Sequence, residues 1–483
     1  MNEARSVKGV RRLRDILLGI MLLVVVGALG FFLAELVMSP NWPNAVRLVG
    51  LSAVLLTILM SPANGLLLWV ILEPYTQFWY LNLKMPAGIP DLSLSRLAIS
   101  LLSIVWVAQL ATGKRRIRRP SATEISIIVF CIMAVPSLTA GLDGLRGTIQ
   151  MFFDKFIVPF LVLVLAKNFY DRETGLDRLV AALAVIGFYL SFMVFYEQLT
   201  GQPLFYQLGR ATVYSRSLRK IVSLLGNPAY LGTALGMIVP IAFFKFVRQA
   251  SPYGRLFYGI LLLMAVLGNF FCYNRGAWLA LAVALLVMLL FERDYRRILL
   301  PIALVAIAVG IVYWPTISNS PVIKERLYSV GSIEYRAVML DMSKRLLRNH
   351  LLLGVGFDNF AYYYLYYGGP WSILGHSLPS PHNAFLLVLT TMGLIAFIPY
   401  LWIFFSMFLE IASVLRRSRK DTRVDRALLV AGWAVIAVYV VSAAFVDLYY
   451  STFNSLVFFF IMGTLLGHLY CLRVVPPSQT AAE

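Results

Sequence analysis

The sequence is poor in charged residues, which make up only 13 % of the chain, while hydrophobic residues make up 60 %. An average soluble domain contains about 25 % charged residues. So little charge leaves too few polar side chains to cover the core of a soluble chain of 483 residues. The composition therefore excludes a water-soluble, disordered or nucleic-acid-binding protein, in spite of a formal net charge of +19.

Cysteine and the usual signatures of metal and nucleotide chemistry are scarce as well. The three cysteines, Cys131, Cys272 and Cys471, are dispersed in or beside apolar runs, so they predict neither a disulfide framework nor a metal site. The sequence contains no Asp-x-Asp, P-loop, His-Glu-x-x-His or Gly-x-Ser-x-Gly motif. These absences argue against a metal-assisted nucleotide-sugar site, and we expect no metal and no cofactor.

Apolar runs of about 20 residues recur along the whole chain, and each is long enough to cross the hydrocarbon of a bilayer. The first run, 16–36, is longer than a signal-peptide core, so we interpret it as a retained span. The sequence predicts an all-α, polytopic transmembrane protein of about 12–14 spans, with residues 1–483 forming a single integral membrane domain. The candidate spans are 16–36, 45–60, 66–80, 92–112, 125–140, 149–166, 179–199, 228–247, 256–273, 276–291, 298–314, 383–409, 427–446 and 452–470.

Basic residues in the short loops predict the orientation, because such residues accumulate on the cytoplasmic side of a membrane. Clusters at 5–14, 114–119 and 416–426 fall on one side of the predicted topology, which we assign to the cytoplasm together with both termini. The other side then carries the longest polar stretch, 315–381, as a large periplasmic loop. Glu334 to Asn349 in this loop has helix-forming composition, so we expect short helices there.

The outer side nevertheless carries basic residues at the membrane boundary, against the usual charge bias. Arginine presents a rigid fork of donors that suits phosphate oxygens, so these residues are candidates for a diphosphate-binding site. The alternative is that Arg275, in the tight hairpin CYNRGAW, only anchors the protein to lipid phosphates. The candidate residues are Arg210, Arg216, Arg219, Arg275 and Arg336.

The segment SPHNAFL, at 380–386, places His382 just before a predicted span on the same outer side. An imidazole exchanges a proton near neutral pH, which suits general-base work on a sugar hydroxyl. The alternative for His382 is a solvated residue at a helix entry. Asn383 has two interpretations of its own, as a helix cap or as a sugar contact.

Two other features carry less specific signals. The glycines of GVGF, at 354–357, allow a tight turn or a close approach of the backbone to a ligand. Asp154 and Lys155 lie within an otherwise apolar run near its outer end. Ionisable residues in such a place usually pair and face a cavity, so we expect these two to pair with each other and line one.

Several of these motifs follow one order: GNPAYLG, NRGAW opening a span, a long outer loop with GVGF, then HNAFL and TTMGL. In this order the chain resembles the O-antigen ligase and O-antigen polymerase superfamily of bacterial inner membranes, over roughly Asn227 to Leu409. The chain departs from the family pattern at NHLLLGVG, where a proline often precedes the glycines.

The resemblance implies a metal-independent, GT-C-type glycosyltransferase that takes a glycan from undecaprenyl diphosphate on the periplasmic face. It implies that Arg275 and Arg336 bind the diphosphate, and that His382 assists the attack of the acceptor. A ligase transfers the glycan to lipid A core or a similar acceptor, whereas a polymerase transfers it to another lipid-linked repeat.

Two alternatives to a ligase stay open from the sequence. The first is the repeat-unit polymerase, because no residue pattern identifies the acceptor. The second is a transporter of a polyprenyl-linked glycan. A transporter is expected to show internal repeats and charged or broken spans at the middle of the membrane, and the sequence shows neither clearly.

Overall fold

The computed structural model describes residues 42–77, 93–142, 144–204, 214–215, 218–219, 221–320, 324, 331–370, 379–417 and 424–474. Within these ranges nine helices are long and apolar enough to cross a membrane, and three further apolar helices are shorter. The predicted all-α, multi-pass architecture is therefore confirmed. The expected first span, 16–36, lies outside the described residues.

The helices follow the predicted runs along the chain, with one two-stranded antiparallel ribbon, Tyr214–Ser215 with Leu218–Arg219. Short 3₁₀ turns cover Glu73–Gln77, Ser223–Leu225 and Leu448–Tyr450, and a π-helical turn, Phe153–Ile157, joins two α-helices. The α-helices are Trp42–Met60, Pro62–Leu72, Leu94–Ala111, Ala122–Thr139, Gly144–Phe152, Val158–Phe169, Gly175–Thr200, Pro228–Arg248, Pro252–Phe271, Arg275–Phe291, Arg293–Val312, Trp314–Asn319, Gly331–His350, Phe360–Tyr366, Ala384–Arg417, Arg426–Ala443 and Thr452–Val474.

Local sequence explains where several of these helices begin. Ser121 and Glu124 form a capping box at the start of Ala122–Thr139. Asn227 caps the helix that opens with Pro228, and Asn274 caps the helix that opens with Arg275. Because each cap satisfies backbone N–H groups that the helix leaves unpaired, these boundaries are encoded by the residues at them.

Contacts between loops support the predicted division of the chain into two sides. Arg118, between two spans, donates hydrogen bonds to the carbonyl oxygens of Lys167 and Tyr170. Arg248 forms ion pairs with Asp294 and Asp425 at 2.8 and 2.7 Å. All of these residues belong to the side that the charge pattern assigns to the cytoplasm.

Helix Ala384–Arg417 is broken at Gly393, which has φ +73°. The ring of Phe385 lies 6.0 Å from the ring of Phe404. These residues would be about 28 Å apart along a straight helix that rises 1.5 Å per residue. Residues 384–392 therefore fold back against 394–417. The prediction of one continuous span over 383–409 is wrong, because two helices meet at Gly393.

The GVGF loop fills this break. The N–H groups of Val355 and Gly356 donate to the carbonyl oxygens of Thr390 and Thr391, each at 2.9 Å, and the N–H of Leu394 donates to the oxygen of Leu351 at 2.9 Å. The Phe357 N–H also donates to Ser137, in the neighbouring 122–139 helix. The glycines of GVGF thus serve a close approach of two backbones, and the loop holds the end of the 331–350 helix in place.

We predict that Gly354→Ala disrupts this docking. A Cβ at Gly354 would lie 2.5 Å from backbone atoms of Thr391, so the loop or the helix must move. Gly368→Ala is the matched control, because Gly368 has nearly the same φ, +75° against +71°, but a Cβ there meets nothing within 4 Å. Thermal unfolding in nanodiscs should show a large loss in the free energy of unfolding for Gly354→Ala. For Gly368→Ala the loss should be only the backbone cost of about 1–2 kcal/mol. Equal losses in the two variants would contradict the docking argument.

Candidate functional site

Four segments meet at the end of the helix bundle that the charge pattern assigns to the periplasm. They are the turn at 379–383, the hairpin at 444–451, the 331–350 helix and the start of the 275–291 helix. His382 faces Asp447 of the hairpin, with 3.3 Å between Nδ1 and the carboxylate oxygen Oδ2. Because a carboxylate only accepts, a neutral His382 in this arrangement carries its proton on Nδ1 and presents Nε2 as an acceptor.

Asp447 holds the turn at 379–383 against the hairpin. Its side chain is only 6 % exposed, whereas that of His382 is 48 % exposed. One carboxylate oxygen accepts from the hydroxyl of Ser380, and the other accepts from the backbone N–H of Asn383 at 2.9 Å. A buried carboxylate needs such donors, since removing it from water is costly. Asp447 thus fixes both the backbone around His382 and the orientation of its ring.

His382 also has unusual backbone geometry, with φ +48°. Few residues other than glycine adopt this left-handed region, and such strain concentrates at functional sites. The ring of His382 packs beside that of Tyr335, with centroids 5.2 Å apart. Tyr335 in turn exchanges hydrogen bonds with the backbone of Ser380. The surrounding contacts thus hold the imidazole in one place.

The structure brings Arg275 and Arg336 together beside this pair. Arg336 donates to the carbonyl oxygen of Phe445 at 3.1 Å and lies over the Phe445 ring. Phe445 also packs against Gly276, the residue after Arg275. Burial, and then the charge of Arg275, lower the pKa of Arg336, while Asp447 opposes this shift. Two guanidinium groups in the same region favour the binding of an anion with several oxygens.

The other predicted site residues have different outcomes. Arg210 and Arg216 lie outside the described residues, and of Arg219 only the backbone is described, in the ribbon. The side chain of Asn383 accepts from the N–H of Leu386 at 3.0 Å, so it caps the following helix. This contact favours the helix-cap interpretation of Asn383 over the sugar contact. The predicted pairing of Asp154 with Lys155 is wrong, because Asp154 pairs with Arg96 instead.

Sequence reasoning missed Asp447. The signal was present, because Asp447 is the single acidic residue in the short connection between the last two apolar runs. An isolated acid at such a boundary is costly unless it has a partner, which makes it a candidate for function. Its partners are distant in sequence, so only the fold identifies them.

An apolar groove of about 380 Å³ extends away from this site along the membrane-spanning helices. It lies between the helices 275–291, 384–417 and 426–443, and its outer end is marked by Phe385 and Val440. Aromatic rings dominate the remainder, including Phe291, Phe408 and Trp433. Because Phe385 follows His382 closely in the chain, the groove offers an apolar surface near that residue. Within the described part of the chain, no cluster of three or more His, Cys, Asp or Glu residues is suited to hold a metal ion.

We predict that Asp447→Asn lowers the free energy of unfolding by about 1–3 kcal/mol, because it removes a charge that buried donors require. Asp341→Asn is the control, since Asp341 is 58 % exposed and pairs with Arg345 on its own helix. An exposed pair of this kind contributes about 0–1 kcal/mol. Thermal unfolding of both ligand-free variants in nanodiscs measures the difference. Equal stability of the two variants would contradict the structural role assigned to Asp447.

Comparison with known protein families adds independent information on this region. Residues 259–401 match the family described as O-Antigen ligase, and the match includes Arg275, Arg336 and His382 but ends before Asp447. No curated protein matches the chain. Members of the matched family are membrane enzymes of the glycosyltransferase type. The match confirms that this chain resembles the O-antigen ligase superfamily, as the motifs in its sequence indicate.

Proposed function

We propose that the protein is a ligase-type glycosyltransferase that moves a glycan from undecaprenyl diphosphate to lipid A core or a similar acceptor. The observation that carries this proposal is the meeting of Arg275, Arg336, His382 and Asp447 at one end of the bundle. By the charge pattern of the loops, this end faces the periplasm of a bacterial inner membrane, and both termini are cytoplasmic. The loop 315–381 then belongs to the periplasmic side of one membrane domain.

The two arginines and the apolar groove suit the two halves of such a donor. Guanidinium groups bind phosphate oxygens through paired hydrogen bonds, so Arg275 and Arg336 would hold the diphosphate. The groove, whose outer end lies near Val440 and Phe385, would receive part of the polyprenyl chain. A donor bound in this way places its anomeric carbon near His382.

The His382 and Asp447 pair supplies the acid–base chemistry. In the proposed step, an acceptor hydroxyl attacks the anomeric carbon of the donor and loses its proton to Nε2 of His382. A new C–O bond forms as the bond to the diphosphate breaks, and the diphosphate leaves with the electron pair. The arginines stabilise the charge on the leaving group. Asp447 acts as a positioning residue, because it fixes the imidazole and stabilises the charge that the ring acquires.

A repeat-unit polymerase would use the same donor and the same base, with a second lipid-linked repeat as acceptor. The transporter alternative has less support. The arginines and the His382 and Asp447 pair gather at one end of the bundle, whereas a transporter places its site near the midplane.

We predict that His382→Gln lowers the transfer rate by about 10²–10⁴-fold, the contribution of a general base. His350→Gln is the matched control, because His350 lies at the end of the 331–350 helix and contacts Tyr363. Cells with His382→Gln should lose polymer on the lipid core and accumulate lipid-linked polymer. Single repeats on the core would instead indicate a polymerase, and normal transfer would remove His382 from the catalytic step.

We predict that Arg336→Lys reduces transfer about tenfold or more, because an ammonium is a point charge and cannot form the paired hydrogen bonds of a guanidinium. Arg348→Lys, on the same helix and exposed, is the matched control and should transfer normally. The loss should appear both as a higher KM for the lipid diphosphate donor and as a lower kcat, because Arg336 is proposed to bind the diphosphate and to stabilise it as it leaves. Full activity of Arg336→Lys would reduce the role of Arg336 to simple electrostatic attraction.

A further inference from the structure

A polar cavity of about 350 Å³ lies beside the 444–451 hairpin, which supplies part of its lining. This volume is within the range of about 300–1,000 Å³ that is typical of small-molecule sites. The cavity is unusual in a chain in which hydrophobic residues make up 60 %. Most of its lining is polar, and it consists of Glu73, Ser93, Ser95, Asp154, Lys155, Val158, Leu225, Tyr230, Tyr450, Ser451 and Thr452.

The helix that supplies Asp154 and Lys155 is deformed at these residues. Both lie in the π-helical turn Phe153–Ile157, which interrupts the long helix from 144 to 169. Such turns are rare and occur frequently at functional sites, because they present side chains that a regular helix would separate. Asp154 accepts from Arg96 at 2.8 Å, and Lys155 donates to the carbonyl oxygen of Tyr450 at 2.8 Å. These two side chains are thus held in fixed positions at the cavity wall.

Glu73 provides an independent indication of a ligand. The residue is only 5 % exposed, and one of its carboxylate oxygens has no hydrogen-bond partner within the described part of the chain. A buried oxygen without a partner is costly, so proteins rarely leave one without a functional reason. Since Glu73 lines the cavity, hydroxyl groups of a bound molecule would supply the missing donors.

The charges of the cavity indicate which class of molecule fits. Arg96 forms an ion pair with Asp154, and the described lining contains both basic and acidic groups, so no cluster of one sign of charge lies around the cavity. The two carboxylates disfavour a diphosphate, which the Arg275 and Arg336 pair suits better. Hydroxyl groups and tyrosine rings instead suit a neutral ligand that carries many hydroxyls and has apolar ring faces.

The cavity is adjacent to the proposed catalytic site. The carbonyl oxygen of Asp447 accepts from the backbone N–H of Tyr450 at 3.1 Å and from the hydroxyl of Tyr230 at 3.5 Å, and both tyrosines line the cavity. The same short hairpin therefore positions His382 through Asp447 and forms part of the cavity wall through Tyr450.

We propose that this cavity binds a sugar ring of the glycan substrate, beyond the ring that reacts beside His382. The proposal rests on the proposed function, because the glycan is taken to be the substrate. A ring held in this cavity would align the chain of sugars and give the enzyme specificity for a particular glycan. Whether the ring belongs to the donor or to the acceptor is decided by the experiment below.

Binding of lipid-free oligosaccharides to the full-length protein in nanodiscs tests the proposal without any assay of transfer. One probe is the repeat oligosaccharide released by mild acid from the donor glycan, and the other is the core oligosaccharide released from the lipid acceptor. Neither probe carries a polyprenyl diphosphate, and the cavity variants below separate binding in the cavity from binding at the arginines. The probe that binds identifies the source of the ring.

Ser95→Phe fills the cavity, and Ser100→Phe places the same side chain on an exposed position of the same helix. We expect wild type and Ser100→Phe to bind one of the probes equally, and Ser95→Phe to bind it about tenfold or more weakly. Glu73→Gln keeps the size of the residue and should weaken binding several-fold, whereas Glu173→Gln at the opposite end of the bundle should not. These two variants decide the matter if Ser95→Phe fails to fold.

The proposal is overturned if neither probe binds wild type at millimolar concentration, or if Glu73→Gln and any folded Ser95→Phe bind as wild type does. Its failure is distinguishable from failure of the proposed function, because His382→Gln should lose transfer and yet bind the probe normally. Normal transfer in His382→Gln together with weakened binding in Ser95→Phe would reject the catalytic role of His382 and retain the sugar site.

Discussion

The break at Gly393, together with the loop that fills it, is the constraint on which the arrangement of the candidate site depends. A helix break in a buried region leaves backbone N–H and C=O groups without partners, which is costly where water is absent. The loop 351–356 supplies those partners from another part of the chain. By docking there, it fixes the end of the 331–350 helix, and the fold-back of 384–392 brings His382 to the end of the 426–443 helix.

Asp447 converts this backbone arrangement into a site with defined electrostatics. Its carboxylate lies among the hydroxyl of Ser380, the backbone of Asn383 and the ring of His382. Its negative charge also offsets the positive charge of Arg336. Two guanidinium groups held together without an acid nearby would repel each other, and an imidazole without a partner would rotate. One buried acid reduces both problems, so stability and the proposed chemistry depend on the same side chain.

Three surfaces of different chemistry lie in this part of the molecule: the two arginines, the apolar groove and the polar cavity. They suit the three parts of the proposed donor, which are a diphosphate, a hydrocarbon chain and sugars. The separation has a physical basis, because a single pocket cannot be well suited to an anion, an alkyl chain and a neutral polyol at once.

The sequence alone determined the membrane-spanning character, and it predicted the division of the loops into two sides and Arg275, Arg336 and His382 as candidate site residues. These properties depend on composition and on position relative to the apolar runs, and both can be read locally. Only the tertiary structure decided that 383–409 is two helices, that Asn383 is a cap and that Asp154 pairs with Arg96. It also identified Asp447 as the partner of His382. The partners of Asp154 and His382 are residues distant in the chain, the break in 383–409 is a left-handed backbone turn, and the role of Asn383 depends on which contact its side chain makes. None of these leaves a periodic pattern in the sequence.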